Sequence, residues 1–464
     1  MCLPPDAEEG TGRTMTPLYD PSIYDRSGEV DSFWAASAGS AVDGCAPLEG
    51  DHVCDVAIIG GGYTGLNTAL HLVRDHGIEA RVLEAGTPGW GASGRNGGFA
   101  SGGATFLSYG ELVGKFGLEE TRRFHAAGCD AVELVRELAQ SEDFEIDAQG
   151  DGMICVAHKP SRMTYLEHQR DAAKELFGED WELWTRDELA ERAYRGPEAF
   201  GGLHCPVGFG LHPLKYSRGL ARAALRHGAL VHGQSEVQHW ERDGQGHVLR
   251  TATGSLRARR VVLATNGFTP EGLDPRFAGR VMPLLSNVIT TRPLTPEERA
   301  AQGWVTETPI YDSRHLLFYY RMLPDGRFML GGRAGTSTAP GTEARMRAWM
   351  IRRLGEMWPA WRDVEVTHYW RGLICAAYDG LPHLGPLPDD PTTFFALAYH
   401  GSGVAMSSWC GRALAGMIAG DPVWRLQALP GPLTRPLPAF PLPGLRLQFV
   451  RARYALFQIQ DRLP

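Results

Sequence analysis

The stretch VCDVAIIGGGYTGLNTALHLV (residues 53–73) constrains this chain more than any other part of it. A short β-branched run ends in glycines and passes directly into a pattern with Leu66, Ala69, Leu70 and Val73 on one helical face. The following EARVLEAG (79–86) reads as a second buried strand, so residues 53–85 form a β-α-β unit. Within it, Gly60 permits a tight turn, Gly62 lets backbone approach a pyrophosphate, and Gly65 lets the helix pack on the strand. Tyr63 and Thr64 open that helix. Its N-terminus offers N–H donors and the positive end of a dipole to phosphates. Glu84, followed by Ala85, closes the second strand where a carboxylate accepts hydrogen bonds from a ribose diol. An adenine dinucleotide follows from this context, and the carboxylate disfavours NADP, whose 2′-phosphate it would repel.

The glycine spelling recurs in GWGASGRNGG (89–98). Here Thr87 and Pro88 interrupt the chain and no apolar helix follows Gly94, so a second nucleotide turn is not expected. The expectation is a loop whose backbone N–H groups are open and against which a flat, bulky ligand can lie.

With 464 residues the chain has room for two or three domains. Its net charge of −8 gives no electrostatic reason to expect nucleic acid as a partner. The eight cysteines are scattered, without CxxC or zinc-like spacing, and read as reduced thiols; no metal site is expected. Residues 1–20 are acidic and proline-containing, unlike a signal peptide, and Met15 is an alternative start to Met1. There is no apolar run of the roughly eighteen residues a transmembrane helix needs. A cytoplasmic location is expected.

Residues 1–50 read as an irregular arm with Tyr24 and Trp34 as anchors, and 111–145 and 161–193 as helices of an inserted region. LRARRVVLATNGF (256–268) resumes the wound pattern, 281–335 is β-rich with a hairpin turning at Asp325-Gly326, and 445–462 is a terminal amphipathic helix.

Taken together, DVAIIGGGYTGLNTALHL, VLEAGTPGWGASGRNGG, GLHPLKYSRGLARAA, VVLATNGFT, LLFYYRMLPDGRFMLGGRA, YWRGLICAAYDGLPHLG and YHGSGVAMSSWCGRALAG occur in the order found in one family. The chain resembles the glycine/D-amino acid oxidase (DAO) type of FAD-dependent amine oxidoreductases, in particular its gamma-glutamylputrescine oxidoreductase-like members. The fold implied is α/β: a discontinuous Rossmann-like FAD-binding domain (51–110, 205–270 and 365–425) with a second α+β substrate domain on an antiparallel sheet (111–204 and 271–364). The arm (1–50) and a Pro-rich segment with the amphipathic helix (426–464) flank them.

The resemblance places the FAD pyrophosphate on Gly60, Gly62 and Gly65 and the adenosine ribose on Glu84. It runs Ser93, Arg95, Asn96, Gly97 and Gly98 along the cofactor towards the isoalloxazine. Val237 would present backbone to adenine, with Thr265 and Asn266 near that half. Gly401, Ser402, Gly403 and Val404 would aim N–H groups at flavin N1 and O2. Relatives that bind flavin covalently use a cysteine at a position that falls near Gly372 here, not Cys375, so FAD is expected to be non-covalent. The lysine with which relatives activate oxygen corresponds to Met329, which leaves the acceptor as oxygen or a quinone or other carrier.

The implied reaction is hydride transfer from the carbon beside a neutral amine to flavin N5, then imine hydrolysis. The substrate would be gamma-glutamylputrescine, a polyamine or an amino acid. Substrate-contact candidates are Tyr319, Arg321, Tyr369, Arg371 and His400; an arginine among them could clamp a carboxylate. The competing reading is an NAD(P)H-dependent flavin reductase or monooxygenase, which commonly needs a second nucleotide turn or a redox CxxC. The terminal helix, with its arginines and apolar positions, either docks on its own domain or lies on a membrane surface.

Overall fold

The computed structural model describes residues 18–103 and 105–463; the alternative start at Met15 lies outside them. The strand Gly50–Ile59 is the centre of the first sheet, paired in parallel with Gly254–Leu263 on one side and Ala80–Leu83 on the other. Leu230–His232 extends the sheet beyond Ala80–Leu83, and Asp390–Leu397 extends it beyond Gly254–Leu263, both in parallel. His383–Leu387 closes that edge antiparallel, and the hairpin His239–Asp243/Gly246–Arg250 branches from Gly254–Leu263. Val56–Ile59 is buried throughout, as a continuous apolar run in a parallel sheet covered on both faces must be.

Two helices decide where the site forms. Tyr63–His76 follows the central strand, and Gly403–Ala419 follows the last parallel one. They lie against each other so closely that a Cβ on Gly411 would stand 2.6 Å from the Thr64 carbonyl oxygen and from the Asn67 Cβ. That contact brings the two helix N-termini to the same end of the sheet.

The second sheet runs Val366–Ala376, Met282–Pro293, Arg327–Gly332, Phe318–Met322, Ile310–Asp312, Met153–Val156, Gly202–Cys205, Glu182–Trp184. It is antiparallel except where Ile310–Asp312 pairs with Met153–Val156. Two boundaries expected from the sequence move. Val366–Ala376, assigned above to the FAD domain, pairs along its length with Met282–Pro293 and so belongs to the second sheet. The helix Leu118–Ser141, assigned to the substrate domain, buries Phe124, Ala131, Val135 and Leu138 in the same core as the helices of the first sheet. Helical periodicity shows that such a face is buried, but not against which sheet.

Both ends of the described chain dock. In the arm, Trp34 is fully buried and its Nε1 donates to the Asn96 carbonyl (2.9 Å), while the Tyr19 hydroxyl donates to the Pro283 carbonyl (2.9 Å). The terminal helix Arg446–Arg462 buries Leu447 beside Leu284, Leu285 and Leu373, and Arg446 forms an ion pair with Glu271. Asp461 accepts from the backbone N–H groups of His315 and Leu316. This helix rests on its own chain, and among the described residues no helix is long and apolar enough to cross a membrane.

Candidate functional site

A crevice opens between the N-termini of Tyr63–His76 and Gly403–Ala419 at the ends of the parallel strands. Its lining includes Gly60, Gly62, Tyr63, Thr64, Glu84, Ala85, Ser93 and Asn96 from the first part of the chain. Val237, Thr265, Asn266, Gly401, Gly403 and Val404 come from the rest. Gly60 has φ +109°, open to glycine, and its N–H donates to the Leu83 carbonyl (2.9 Å). A side chain on Gly65 would collide with the Gly60 carbonyl, so Gly65 packs helix on turn and stands behind the lining. Both Glu84 oxygens are already held, one by the Gly61 N–H (2.6 Å) and one by the Gly86 N–H (2.8 Å). Burial raises this carboxyl's pKa and the two donors counter it. Each oxygen keeps a lone pair for a further donor in the crevice.

The loop 89–98 repeats the steric design of 60–65, which its sequence context did not suggest. Gly89 has φ +84°, its N–H donates to the Gly61 carbonyl (3.0 Å), and a side chain on Gly94 would strike the Gly89 carbonyl. One helical turn, Ala92–Arg95, follows. Ser93 Oγ accepts from the Tyr63 N–H (2.9 Å) and faces Gly62, so this turn is stacked on the first. Asn96 caps the Ala92 and Ser93 carbonyls with its amide and holds the Gly98 N–H with Oδ1 (2.8 Å).

Several residues expected along the cofactor stand elsewhere. Arg95 is buried behind the crevice, its guanidinium 3.9 Å over the Trp90 ring and its Nε on the Trp90 carbonyl (2.7 Å). Burial, helped by the charges of Arg26 and Arg371, pushes its pKa down to about 9. Gly97 and Gly98 press against Tyr319 and the Leu211 carbonyl instead of lining the crevice, and Ser402 is likewise absent from the lining.

The substrate candidates divide. Arg321 is 1% exposed and donates to the Gly97 carbonyl (3.2 Å), Gln149 Oε1 (3.1 Å) and the Leu211 carbonyl (2.5 Å). It pins the glycine loop and lines neither the crevice nor the chamber over the second sheet. Tyr319, on the same face, bonds Ser286 through its hydroxyl (2.9 Å) and packs on Gly97 and Gly331. His400 is buried, and burial pushes its pKa down to about 4. Its Nδ1 has no partner among the described residues, and it lines neither cavity. Its backbone carbonyl is what the site uses, accepting Arg333 Nη2 at 3.0 Å.

Tyr369 and Arg371 do reach a cavity. A chamber of about 970 Å³ lies over the second sheet, lined by them with Asn287, Arg333, Arg345 and Trp349, among others. Tyr369 donates to Asn287 Oδ1 (2.8 Å) and Arg371 meets Glu343 at 3.4 Å. Basic side chains outnumber acidic ones in the lining; Arg314 and Arg353 share Glu198 and pair further with Asp312 and Glu356 respectively. Arg333 has no carboxylate within salt-bridge distance among the described residues. It also sits where a Cβ on Gly401 would be 2.7 Å from its Nη2, so it joins the chamber to the crevice.

The sequence reading missed Arg333 although it stands in the quoted GGRA motif, one residue past the strand where alternation stops being informative. Arg26 and Glu236, which line the crevice and pair at 2.6 Å, were also missed: Arg26 because the arm has no periodicity to read, and Glu236 because its role depends on the docking of that arm. Cys375 lines the crevice too, and burial pushes its thiol up to about 12. Six non-glycine residues have positive φ among the described residues, and three of them, Asn266, Ala398 and His400, gather here. Asn266 Oδ1 secures the bend by accepting the Ala398 N–H (2.9 Å).

The family model described as FAD dependent oxidoreductase matches residues 55–417. Gamma-glutamylputrescine oxidoreductase of Escherichia coli (strain K12) is 30% identical over 94% of this chain and 99% of its own length. Glycine oxidase of Geobacillus kaustophilus is 25% identical over 79% and 93%. The crystal structure of glycine oxidase from that organism superposes with TM-score 0.68 at 22% identity, covering 79% of this chain and 95% of the other. Iminodiacetate oxidase from Chelativorans sp. BNC1 superposes with TM-score 0.63 at 18% identity over 79% and 96%. The extent of the family match and the near-complete coverage of the bacterial relative agree: this chain belongs to the DAO family of FAD-dependent oxidoreductases.

Proposed function

We propose that this chain oxidises the C–N bond of an amine or amino acid that carries an anionic group away from the reacting carbon. The observation that carries this reading is Arg333, a guanidinium without a carboxylate partner on the wall between a large basic chamber and the crevice. Simple glycine would leave most of a 970 Å³ chamber unfilled. A gamma-glutamyl amine, the substrate type in the name of the Escherichia coli relative, has both a distant carboxylate and the length.

The crevice residues fit FAD. Gly62 leaves no room for a side chain, since its Cβ would lie 2.8 Å from Ser93 Oγ, so only backbone faces the diphosphate position. Two helix N-termini direct first-turn N–H groups into the same space; in the first of them the Tyr63 N–H is held by Ser93 Oγ. Non-covalent attachment accords with the protonated state in which burial keeps Cys375. When bound, FAD accepts the hydride and carries negative charge in its reduced form.

The protein's own part is placement and charge. Arg333 and Arg371 hold the substrate's carboxylate, and the resulting excess of positive charge favours the neutral amine, whose lone pair the reaction requires. The N-terminus of Gly403–Ala419 opposes negative charge arriving at its end of the crevice. His400 stays neutral above about pH 4 and adds no competing charge. The electron acceptor proposed is a carrier other than oxygen, because the position at which relatives carry an oxygen-activating lysine is a buried methionine, Met329, here.

Anaerobic mixing of the flavin-loaded protein with gamma-glutamyl amines, polyamines, N-methyl and D-amino acids tests this. Carboxylate-bearing amines should bleach the flavin absorbance fastest, and slow recovery on admitting air should follow. Bleaching by NADH with none by any amine would replace this reading with the flavin reductase.

A further inference from the structure

Away from both cavities, His125, Cys129 and Glu179 bring one ligating atom each within 4.8 Å of one another, the one such group among the described residues. His125 and Cys129 stand four residues apart on Leu118–Ser141, which puts them on one face of that helix. Glu179 comes from the turn after the helix Met163–Phe177, just before the strand Glu182–Trp184. Both neighbours converge on the same atom: Cys129 Sγ lies 3.6 Å and Glu179 Oε1 2.7 Å from His125 Nε2.

We propose that these three side chains bind a thiophilic divalent cation, with Zn²⁺ the ion of best fit and water completing a tetrahedron. Zn–S and Zn–N bonds at tetrahedral angles separate sulfur and nitrogen by about 3.6 Å, the Sγ to Nε2 distance found here. The nitrogen and carboxylate oxygen must move apart by about 0.7 Å to become ligands, a shift a glutamate side chain after a helix end can make. The set is nitrogen, sulfur and oxygen, which suits zinc over magnesium or calcium.

The groups behind the ligands are those a metal site uses. The His125 ring is stacked on Phe177, with centroids 3.8 Å apart and planes 7° from parallel, which fixes its direction. Its Nδ1 faces the Tyr109 hydroxyl at 3.5 Å, and Glu179 Oε2 accepts from Trp181 Nε1 at 2.8 Å. Outer contacts of this kind orient ligands and select the histidine tautomer. Burial, then the negative charge of Glu179, Asp130 and Glu133, pushes the Cys129 thiol up to about 11, and the same negative charge attracts a cation. All three ligands are partly exposed, so an ion has access. Binding would tie two helices together at a distance from the flavin chemistry, so the site is structural and independent of the proposed function.

The test uses the full-length, flavin-loaded protein after removal of metals with a chelator. Titration with Zn²⁺ should show one equivalent bound, and Co²⁺ should produce ligand-field bands to the red of the flavin absorption with a sulfur charge-transfer band. Cys129→Ser and His125→Gln should each weaken Zn²⁺ binding by about 100-fold, and Tyr109→Phe by about 10-fold, with flavin content and far-UV dichroism unchanged. Because the metal displaces the thiol proton, affinity should rise about tenfold per pH unit. Zn²⁺ should also slow alkylation of Cys129 by a maleimide. Absence of the cobalt bands, undiminished Zn²⁺ binding in the double variant, or equal alkylation with and without Zn²⁺ would each overturn the proposal.

Discussion

The crevice and the chamber meet at Arg333, yet they are built from different material. The crevice is mostly backbone: turns at Gly60, Gly89 and Gly401, helix N-termini, and side chains such as Asn96 and Asn266 that hold carbonyls and N–H groups in place. The chamber is mostly side chain: Asn287, Tyr369 and Arg371 on the second sheet, Arg345, Arg352 and Arg353 on the helix Thr342–Met357, and Asp461 and Arg462 on the terminal helix. A backbone site tolerates little change, since every substitution alters the frame itself. A side-chain site can be retuned residue by residue, which is how one fold hosts many substrates. Val366–Ala376 makes the junction visible: Tyr369 and Arg371 line the chamber, while Ile374 and Cys375, further along the same strand, line the crevice.

Breaking the backbone side should have the largest effect. Gly65→Val forces a side chain into the Gly60 carbonyl, so the purified protein should carry little or no flavin, with affinity for FAD reduced by more than about 1,000-fold. The ratio of flavin to protein absorbance reads this directly, and normal flavin content would show that the turn is not the frame assumed here.

The next effect lies behind the junction. His400 is held neutral, its pKa lowered from 6.5 to about 4, so the unfolded chain binds its proton first as pH falls. Its contribution to stability is full above about pH 6.5 and is lost progressively towards pH 4, amounting to up to about 3 kcal/mol. Urea unfolding across that window should show the decline, and His400→Gln should flatten part of it. An unchanged slope in the variant would assign the decline to His158 and His212, which burial also depresses.

On the chamber side, Arg333→Met should cost about 10- to 100-fold in kcat/KM for a carboxylate-bearing amine, or about 1.4–2.8 kcal/mol. Flavin content should stay unchanged. An equal loss with an amine lacking a carboxylate would mean that Arg333 acts by supporting Gly401, which would erase the division drawn between the two sites. The smallest effect belongs to the rim: Arg26→Gln should weaken FAD by less than about fivefold, as a partly exposed ion pair does. Fluorescence of released flavin measures it.

How much of this could be read from the sequence follows the same division. Turns made by glycine leave a sequence mark, so the motifs at 60–65, 84–98 and 401–404 pointed to segments that line the crevice, whereas lining residues such as Arg26, Phe268, Ile374 and Tyr399 carried no such mark. Strand alternation puts Tyr319 and Arg321 on one face and Tyr320 on the other, but it carries no information on which face meets a cavity. In the structure the 319/321 face presses on the glycine loop, and Tyr320 enters the second core and bonds Tyr194. His125 and Cys129 were within reach, being four apart on a strongly helical stretch. Glu179 was not, because nothing local relates it to a helix fifty residues earlier. Val366–Ala376 changed sheets for a similar reason: its pairing with Met282–Pro293 is set by hydrogen-bond register, which apolar content does not encode.

The arm has one more consequence, and it concerns time. Residues 18–34 are among the first synthesised, but the Tyr19 hydroxyl waits for Pro283 and the Asp20 N–H for Thr338, 264 and 318 residues later. At about 5–20 residues per second the wait is tens of seconds. During it the segment that carries Arg26, a residue of the crevice lining, lacks these two fastenings. A nascent chain therefore carries the first-made part of the crevice wall unfastened until Met282–Pro293 and the segment around Thr338 have emerged.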